Sequence, residues 1–187
     1  MIQIKNAAEL QKMRKACAIS AAALKAGGEA IEPGITTAEI DKIIYDFIVR
    51  HGARPNFLHL YGFPATACIS VNDTVIHGIP NKQQQIRPGD IVSIDTGCKI
   101  DGFNGDNACT YGCGKLDLEA QRLLDVTKES LHRGIEMARG GNRVGDIGHA
   151  VQTYVEENGF SVVRSFVGHG VGKELHEDPE VPNFGNA

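Results

Sequence analysis

The sequence predicts an α/β chain in which two helices precede a set of antiparallel strands, twice over. Three observations carry that prediction: capping signals that open apolar helical stripes, a strong two-residue turn between β-branched runs, and the return of the helix–helix–strand order from Leu118 onward. Asn6 followed by Glu9 has capping-box spacing, and Leu10, Met13, Cys17, Ala21 and Leu24 then recur at helical intervals until Gly27-Gly28 stops the run. Thr36 with Glu39 repeats the signal, ahead of a stripe of Ile40, Ile43, Ile44 and Phe47 that ends near Gly52. Strands are expected at 66–71 and 74–76, parted by Asn72-Asp73, and on either side of Asp101-Gly102 in a hairpin over 91–111.

The second half repeats the order. Leu118 to Ala138 reads as a third helix with Leu123, Leu124, Leu131 and Ile135 on its apolar side, closed by Gly140-Gly141. Val144 to Val155 reads as a fourth, with Ile147, Val151 and Val155 in register before Asn158-Gly159. Val162-Val163 and Phe166-Val167 are strand-like. The closing PNFGNA supplies neither a strong strand nor a cap, so the second unit is expected to be incomplete beside the first. An open sheet edge of that kind would favour association of an otherwise monomeric chain.

A length of 187 residues suits a single domain, 1–187, with a real core. Hydrophobic residues at 42% and charged residues at 22% are ordinary for a globular protein. The formal charge of -4 excludes an electrostatic footprint for nucleic acid or an anionic membrane. The five cysteines, Cys17, Cys68, Cys98, Cys109 and Cys113, are odd in number and contain no CxxC pair, which fits free thiols in a reducing compartment. Lys5, Glu9, Lys12, Arg14 and Lys15 interrupt the N-terminal stretch, and no run approaches the roughly 18 apolar residues of a membrane span. A cytoplasmic location is therefore expected.

Chemistry concentrates in the hairpin. A two-residue turn at Asp101-Gly102 places Asp106 opposite Gly97, and Asp95 shares a face with Gly97 because strand side chains alternate. Each aspartate taken singly reads equally well as a turn residue. Asp95, however, follows Ile91-Val92-Ser93-Ile94 in a strand that should be buried, where turns do not occur. Two carboxylates on one face repel, and burying them without counter-charge is costly, so the pair points to a two-metal site.

The segment VGHGVGKELHEDP adds His169 and His176, with Gly168, Gly170 and Gly172 permitting close approach of backbone or ligand. Imidazole is the commonest metal ligand, which favours His169, while the step to His176 excludes an HExxH arrangement. His77 stands at the start of a loop before Gly78 and Pro80, as a substrate-contact residue would. His51, His59, His132 and His149 read as structural or solvated. Phe57, Leu60, Tyr61, Phe63 and Cys68 make an apolar cluster that suits core packing or a small specificity pocket. No GxxxxGK[ST] and no GxSxG occurs.

The segments ACISVNDTVIHGIP, RPGDIVSIDTGCKIDGFNGDNACTY and SFVGHGVGKELHEDPEVPNFG together resemble those of the bacterial type I methionine aminopeptidases, metallopeptidase family M24, along essentially the whole chain. The resemblance implies the pita-bread fold, two pseudo-symmetric helix–helix–sheet units around a curved antiparallel sheet. It implies that Asp95 serves the second metal, that Asp106 bridges both and that His169 ligates the first. His77 and His176 would contact the substrate amide and the developing tetrahedral intermediate, and Phe57, Phe63 and Cys68 would line the substrate pocket. The implied cofactor is a pair of divalent ions drawn from Co, Mn, Fe or Zn, and the implied partners are nascent polypeptide N-termini close to the ribosome. The implied reaction removes an initiator methionine that precedes a small residue.

The chain departs from the family's pattern in two places. Two further glutamate ligands usual in the family are absent from this sequence, which predicts reduced metal occupancy and doubtful activity for a chain shortened at its C-terminus. Phe57, Leu60 and Tyr61 also stand where relatives commonly carry a Cys and an aromatic-His pair, so the pocket is expected to be reshaped. Two rival readings are a proline-directed peptidase, which usually carries an additional N-terminal domain, and a non-catalytic peptide-binding or ribosome-associated pita-bread protein.

Overall fold

The structure is a computed structural model that describes residues 1–186. Its contacts divide into two compact units: Ile4–Asp117 with Val171–Leu175, and Met1–Gln3 with Leu118–Gly170 and the chain from His176 onward. In the larger unit, helix α1 (Ala7–Glu29) opens with the expected capping box: Asn6 accepts from the Glu9 N–H at 3.0 Å, and Glu9 accepts from the Asn6 N–H at 3.1 Å.

Its fully buried stripe shares only Leu24 with the expected one, Met13 and Cys17 being half-buried. Ala16, Ser20, Ala23, Leu24, Gly27 and Gly28 are buried, Leu10 and Ala21 are exposed, and the helix runs through Gly27-Gly28 to Glu29. Close packing is the reason. A Cβ at Gly105 of the sheet would lie 2.5 Å from the Ala16 carbonyl, and one at Gly27 would lie 2.7 Å from Ile44 Cδ1. Small residues form the contact face because larger ones would force the layers apart, and a reading weighted by hydrophobicity selects the wrong stripe.

Helix α2 (Thr37–Arg50) begins at a second complete capping box, formed by Thr36 and Glu39. Ile40, Ile44 and Ile48 are fully buried and meet Ile69, Val92 and Ile94 of the sheet in the main core. Strand β3 (Ile91–Ile100) runs through the sheet, with β1 (Arg54–Pro55) and β2 (Ala67–Val71) along one edge and β4 (Phe103–Gly112) along the other, all antiparallel. Val92, Ile94, Thr96 and Cys98 are buried on one side of β3, so Ser93, Asp95 and Gly97 face the other.

The strand expected at 74–76 does not form, and Val75 is 61% exposed. Asn72 closes a turn instead: its amide donates to Asp90 at 2.9 Å and accepts from the Ile91 N–H at 3.0 Å. The chain then doubles back, and the Gly78 carbonyl accepts from the Ile69 N–H at 2.8 Å.

Asp41 of α2 fixes the start of β2, its Oδ1 accepting from the N–H groups of Thr66 at 2.9 Å and Ala67 at 2.8 Å. Burial raises its carboxyl above the ordinary range, against the two hydrogen bonds, which lower it. A raised carboxyl binds its proton more tightly in the folded chain. Its contribution to stability is thus fully present below the unfolded pKa and is lost as pH rises through the folded one. Asp41→Asn keeps an acceptor and removes the charge, so its melting temperature should exceed the wild type's by about 2–5 °C at pH 7, with the gap closing by pH 4. A lower melting temperature for the variant at pH 7 would show that the charge itself stabilises the strand.

In the smaller unit, α3 (Leu118–Met137) packs on α4 (Val144–Glu157) through Gly134, where a Cβ would lie 2.9 Å from Val151. Val126, Ser130 and Gly134 are buried, whereas Leu131 and Ile135, expected inside, are each 58% exposed. A small-residue ridge again makes the helix contact. Asn158 caps α4 as expected. Val162-Val163 and Phe166-Val167 form no strand, because each apolar pair is too short to sustain a ladder. The Asn183 amide holds that segment through the carbonyls of Val163 at 3.0 Å and Phe166 at 3.4 Å. The strands of this unit are β5 (Gly168–Gly170) and β6 (Glu177–Val181), antiparallel with an irregularity between His169 and Gly170. Among the described residues, no helix is long and apolar enough to cross a membrane.

Candidate metal centre and substrate pocket

The β3–β4 hairpin turns on Asp101 and Gly102, at φ of 52° and 82°, the pair of left-handed residues that a two-residue hairpin loop requires. That turn fixes the register, with Gly97 opposite Asp106 and Asp95 opposite Ala108, so the two carboxylates share the face turned away from α1 and α2. They also meet: burial raises the Asp95 carboxyl to about 7, helped by the negative charge of Asp106 and by a side-chain hydrogen bond with it. A half-buried pair of carboxylates this close favours either a shared proton or a cation. Divalent ions fit the donor set, since the hard oxygens of two carboxylates converge on one face of the hairpin. Among the described residues, no three or more His, Cys, Asp or Glu side chains gather into a metal-holding group.

Cys68 stands directly opposite Asp95 across β2 and β3. Burial pushes its thiol up to about 12, with further help from the charges of Asp95, Asp106 and Asp41. With no cation beside it the thiol therefore stays protonated and uncharged. Phe57, Cys68 and Leu175 form a small buried cluster against which Leu60 and Phe63 pack. Tyr61, expected in this cluster, is instead 92% exposed, because the loop twists through left-handed conformations at His59 (φ 69°) and Tyr61 (φ 48°). Leu175 was missed from sequence, although an apolar residue directly before His176 in a glycine-rich segment was the available signal. His77 follows β2 in an exposed loop at φ 56°, next to Gly78, whose N–H donates to Ser70 Oγ at 3.0 Å.

In the smaller unit, His169 sits on β5 opposite Glu180 of β6, and its ring meets His176 edge-on with centroids 4.4 Å apart. His169 Nδ1 lies 2.9 Å from the Gly170 carbonyl, a contact that holds the proton on Nδ1 and puts the ring lone pair on Nε2. The flanking glycines do serve close approach, though by β6 backbone: a Cβ at Gly170 would lie 2.5 Å from the Asp178 carbonyl. The structure thus brings Asp95 and Asp106 together on one unit, with Cys68, Phe57 and Phe63 beside that sheet face, and His169 and His176 together on the other.

The model of metallopeptidase family M24 matches residues 11–187. The methionine aminopeptidase of Clostridium perfringens is 54% identical over 99% of this chain and 74% of its own length. Methionine aminopeptidase 1 of Bacillus subtilis is 46% identical, over 99% of this chain and 74% of its own length. The crystal structure of the Thermotoga maritima methionine aminopeptidase superposes with a TM-score of 0.97 at 41% identity, covering 100% of this chain and 75% of that one. The α/β pita-bread class expected from the sequence holds. A match over residues 11–187, with relatives this similar along nearly the whole sequence, means that the chain belongs to metallopeptidase family M24, alongside bacterial methionine aminopeptidases.

Proposed function

We propose that this chain removes N-terminal methionine from peptides and nascent proteins whose second residue is small, using divalent cations held by Asp95, Asp106 and His169. The observation that carries the reading is the half-buried, same-face pair of Asp95 and Asp106, with Cys68 of the apolar cluster directly across the strand from Asp95. The names of the relatives that are 46–54% identical support the substrate class. When bound, the cations supply Lewis acidity and lower the pKa of a water.

The chain's own residues supply the rest. Phe57, Phe63 and Cys68 receive the unbranched apolar side chain of the first residue, and the neutral Cys68 thiol adds no charge there. His77 orients the scissile amide. His176 donates toward the carbonyl oxygen, a hydrogen bond that strengthens as negative charge develops on that atom. Asp106 would serve both ions and Asp95 one of them, as hard carboxylate donors.

Hydrolysis of Met-Ala-Ser, measured with Mn, Co, Fe or Zn supplied in turn and then with chelator, tests this. Turnover should fall by at least ~100-fold on chelation, and Met-Leu-Ser should be cut far more slowly. Peptide binding without turnover under every metal would favour the non-catalytic reading and overturn this one.

A further inference from the structure

Asn104 is buried on β4, two residues before Asp106, and its side chain joins three separate stretches of chain. Its Nδ2 donates to the carbonyls of Gly172 at 3.0 Å and Lys173 at 2.9 Å, while its Oδ1 accepts from Asn56 Nδ2 at 3.2 Å. Its backbone N–H adds a bond to the Gly172 carbonyl at 2.8 Å. Lys99 Nζ donates to the same Lys173 carbonyl at 2.5 Å, and the Lys173 ammonium pairs with Glu9 at 3.1 Å. Within the bound segment, the Gly172 N–H closes a turn onto the Glu174 carbonyl at 3.0 Å.

These bonds lay Val171–Leu175 on the sheet as a strap. Gly172 and Leu175 are its buried points, and Leu175 completes the cluster with Phe57 and Cys68. Asn56 directly precedes Phe57, and it has room only because position 97 is glycine: a Cβ there would lie 2.4 Å from Asn56 Oδ1. One buried amide thus fixes two walls of the cluster, Phe57 through Asn56 and Leu175 through the strap. A buried amide is costly unless its donors are used, and here both are used on the strap rather than within the sheet.

We propose that Asn104 is a positioning residue that clamps the Val171–Leu175 strap and, through Leu175, sets the width of the pocket for the substrate's first side chain. The pocket half of this rests on the function proposed above, whereas the strap half does not. Asn104→Asp separates the two. It keeps the shape and can accept from Asn56, yet it sets a carboxylate oxygen against two carbonyls.

Hydrogen exchange on the metal-free full chain should show Val171–Leu175 opening at least ~10-fold faster in Asn104→Asp, as expected for two lost hydrogen bonds, with α1 and α2 unchanged. Lys99→Met removes only the outer bond to Lys173 and should accelerate the same segment by about threefold. It serves as the test if the first variant does not fold. Unchanged exchange in the strap of a folded Asn104→Asp, or in Lys99→Met where the first variant fails to fold, would overturn the clamp, as would uniform acceleration across the chain. In the metal-loaded enzyme, KM for Met-Ala-Ser should rise about tenfold in Asn104→Asp, with kcat changed less than about threefold. Faster strap exchange with unchanged KM would overturn the pocket half alone. Failure of the wild type to cleave any peptide would indict the proposed function and leave the clamp to be decided by exchange.

Discussion

Asp106→Asn should abolish metal binding and cut Met-Ala-Ser turnover by at least ~1000-fold while making the metal-free chain more tolerant of rising pH. The two effects have one cause. Asp106 and Asp95 are held on one face by a register that the Asp101-Gly102 turn fixes, so neither can withdraw from the other. Without a cation, Asp95 is raised to about 7, first by burial and then by Asp106. A carboxyl raised in this way stabilises the fold below its unfolded pKa, and that contribution is lost as pH climbs from the ordinary carboxylate range through about 7. Removing the Asp106 charge leaves burial alone to raise Asp95, which narrows the window.

Calorimetric titration with Mn and thermal unfolding at pH 5.5 and 8 would report both halves. The metal-induced rise in melting temperature should vanish in the variant, and its melting temperature without metal should fall less between the two pH values than the wild type's. Two ions still bound per chain would remove Asp106 from the bridging role, whatever happened to turnover.

The hairpin was legible because its determinants are local. Asp101-Gly102 sets the turn, alternation sets the faces, and the placement of Asp106 opposite Gly97 follows from counting. Both capping boxes were legible for the same reason. What escaped was set by contacts between distant segments. The buried stripe of α1 is chosen by Gly105, far along the chain, which demands small residues at the contact and makes Ala16 and Ala23 more deeply buried than Leu10. Leu131 and Ile135 mislead in the same way, since α3 meets α4 at Gly134. In the candidate site, the apolar run holding Phe57, Leu60, Phe63 and Cys68 could be named from its residues, although the same reading included the exposed Tyr61. Leu175 offered only its place directly before His176, and Asn104 offered nothing, because its partners are carbonyl groups and carbonyls carry no sequence signature.

Gly78→Ala should lower turnover by about 100-fold with only a modest loss of stability, the cost expected when a group that orients substrate shifts by about 1 Å. A Cβ at Gly78 would lie 2.2 Å from the Ile69 carbonyl oxygen and 2.8 Å from Ser70 Cα, both backbone atoms of β2. That strand cannot yield: Ile69 and Ser70 are paired with Ile94 and Ser93, and Ile69 is in the core. The loop must move instead. It would give up the Gly78 N–H bond to Ser70 and the Ile69 N–H bond to Gly78, at about 1–2 kcal/mol, and His77 would move with it. Metal binding at the hairpin should be unaffected, because the loop moves while β2 and its pairing with β3 stay in place. A double-mutant cycle assigns the effect. If Gly78 acts by placing His77, then Gly78→Ala should cost little once His77→Ala is present, because the group it positions is gone. A further loss of about 100-fold in the double variant would instead trace the effect to a displaced β2 and its Cys68 wall.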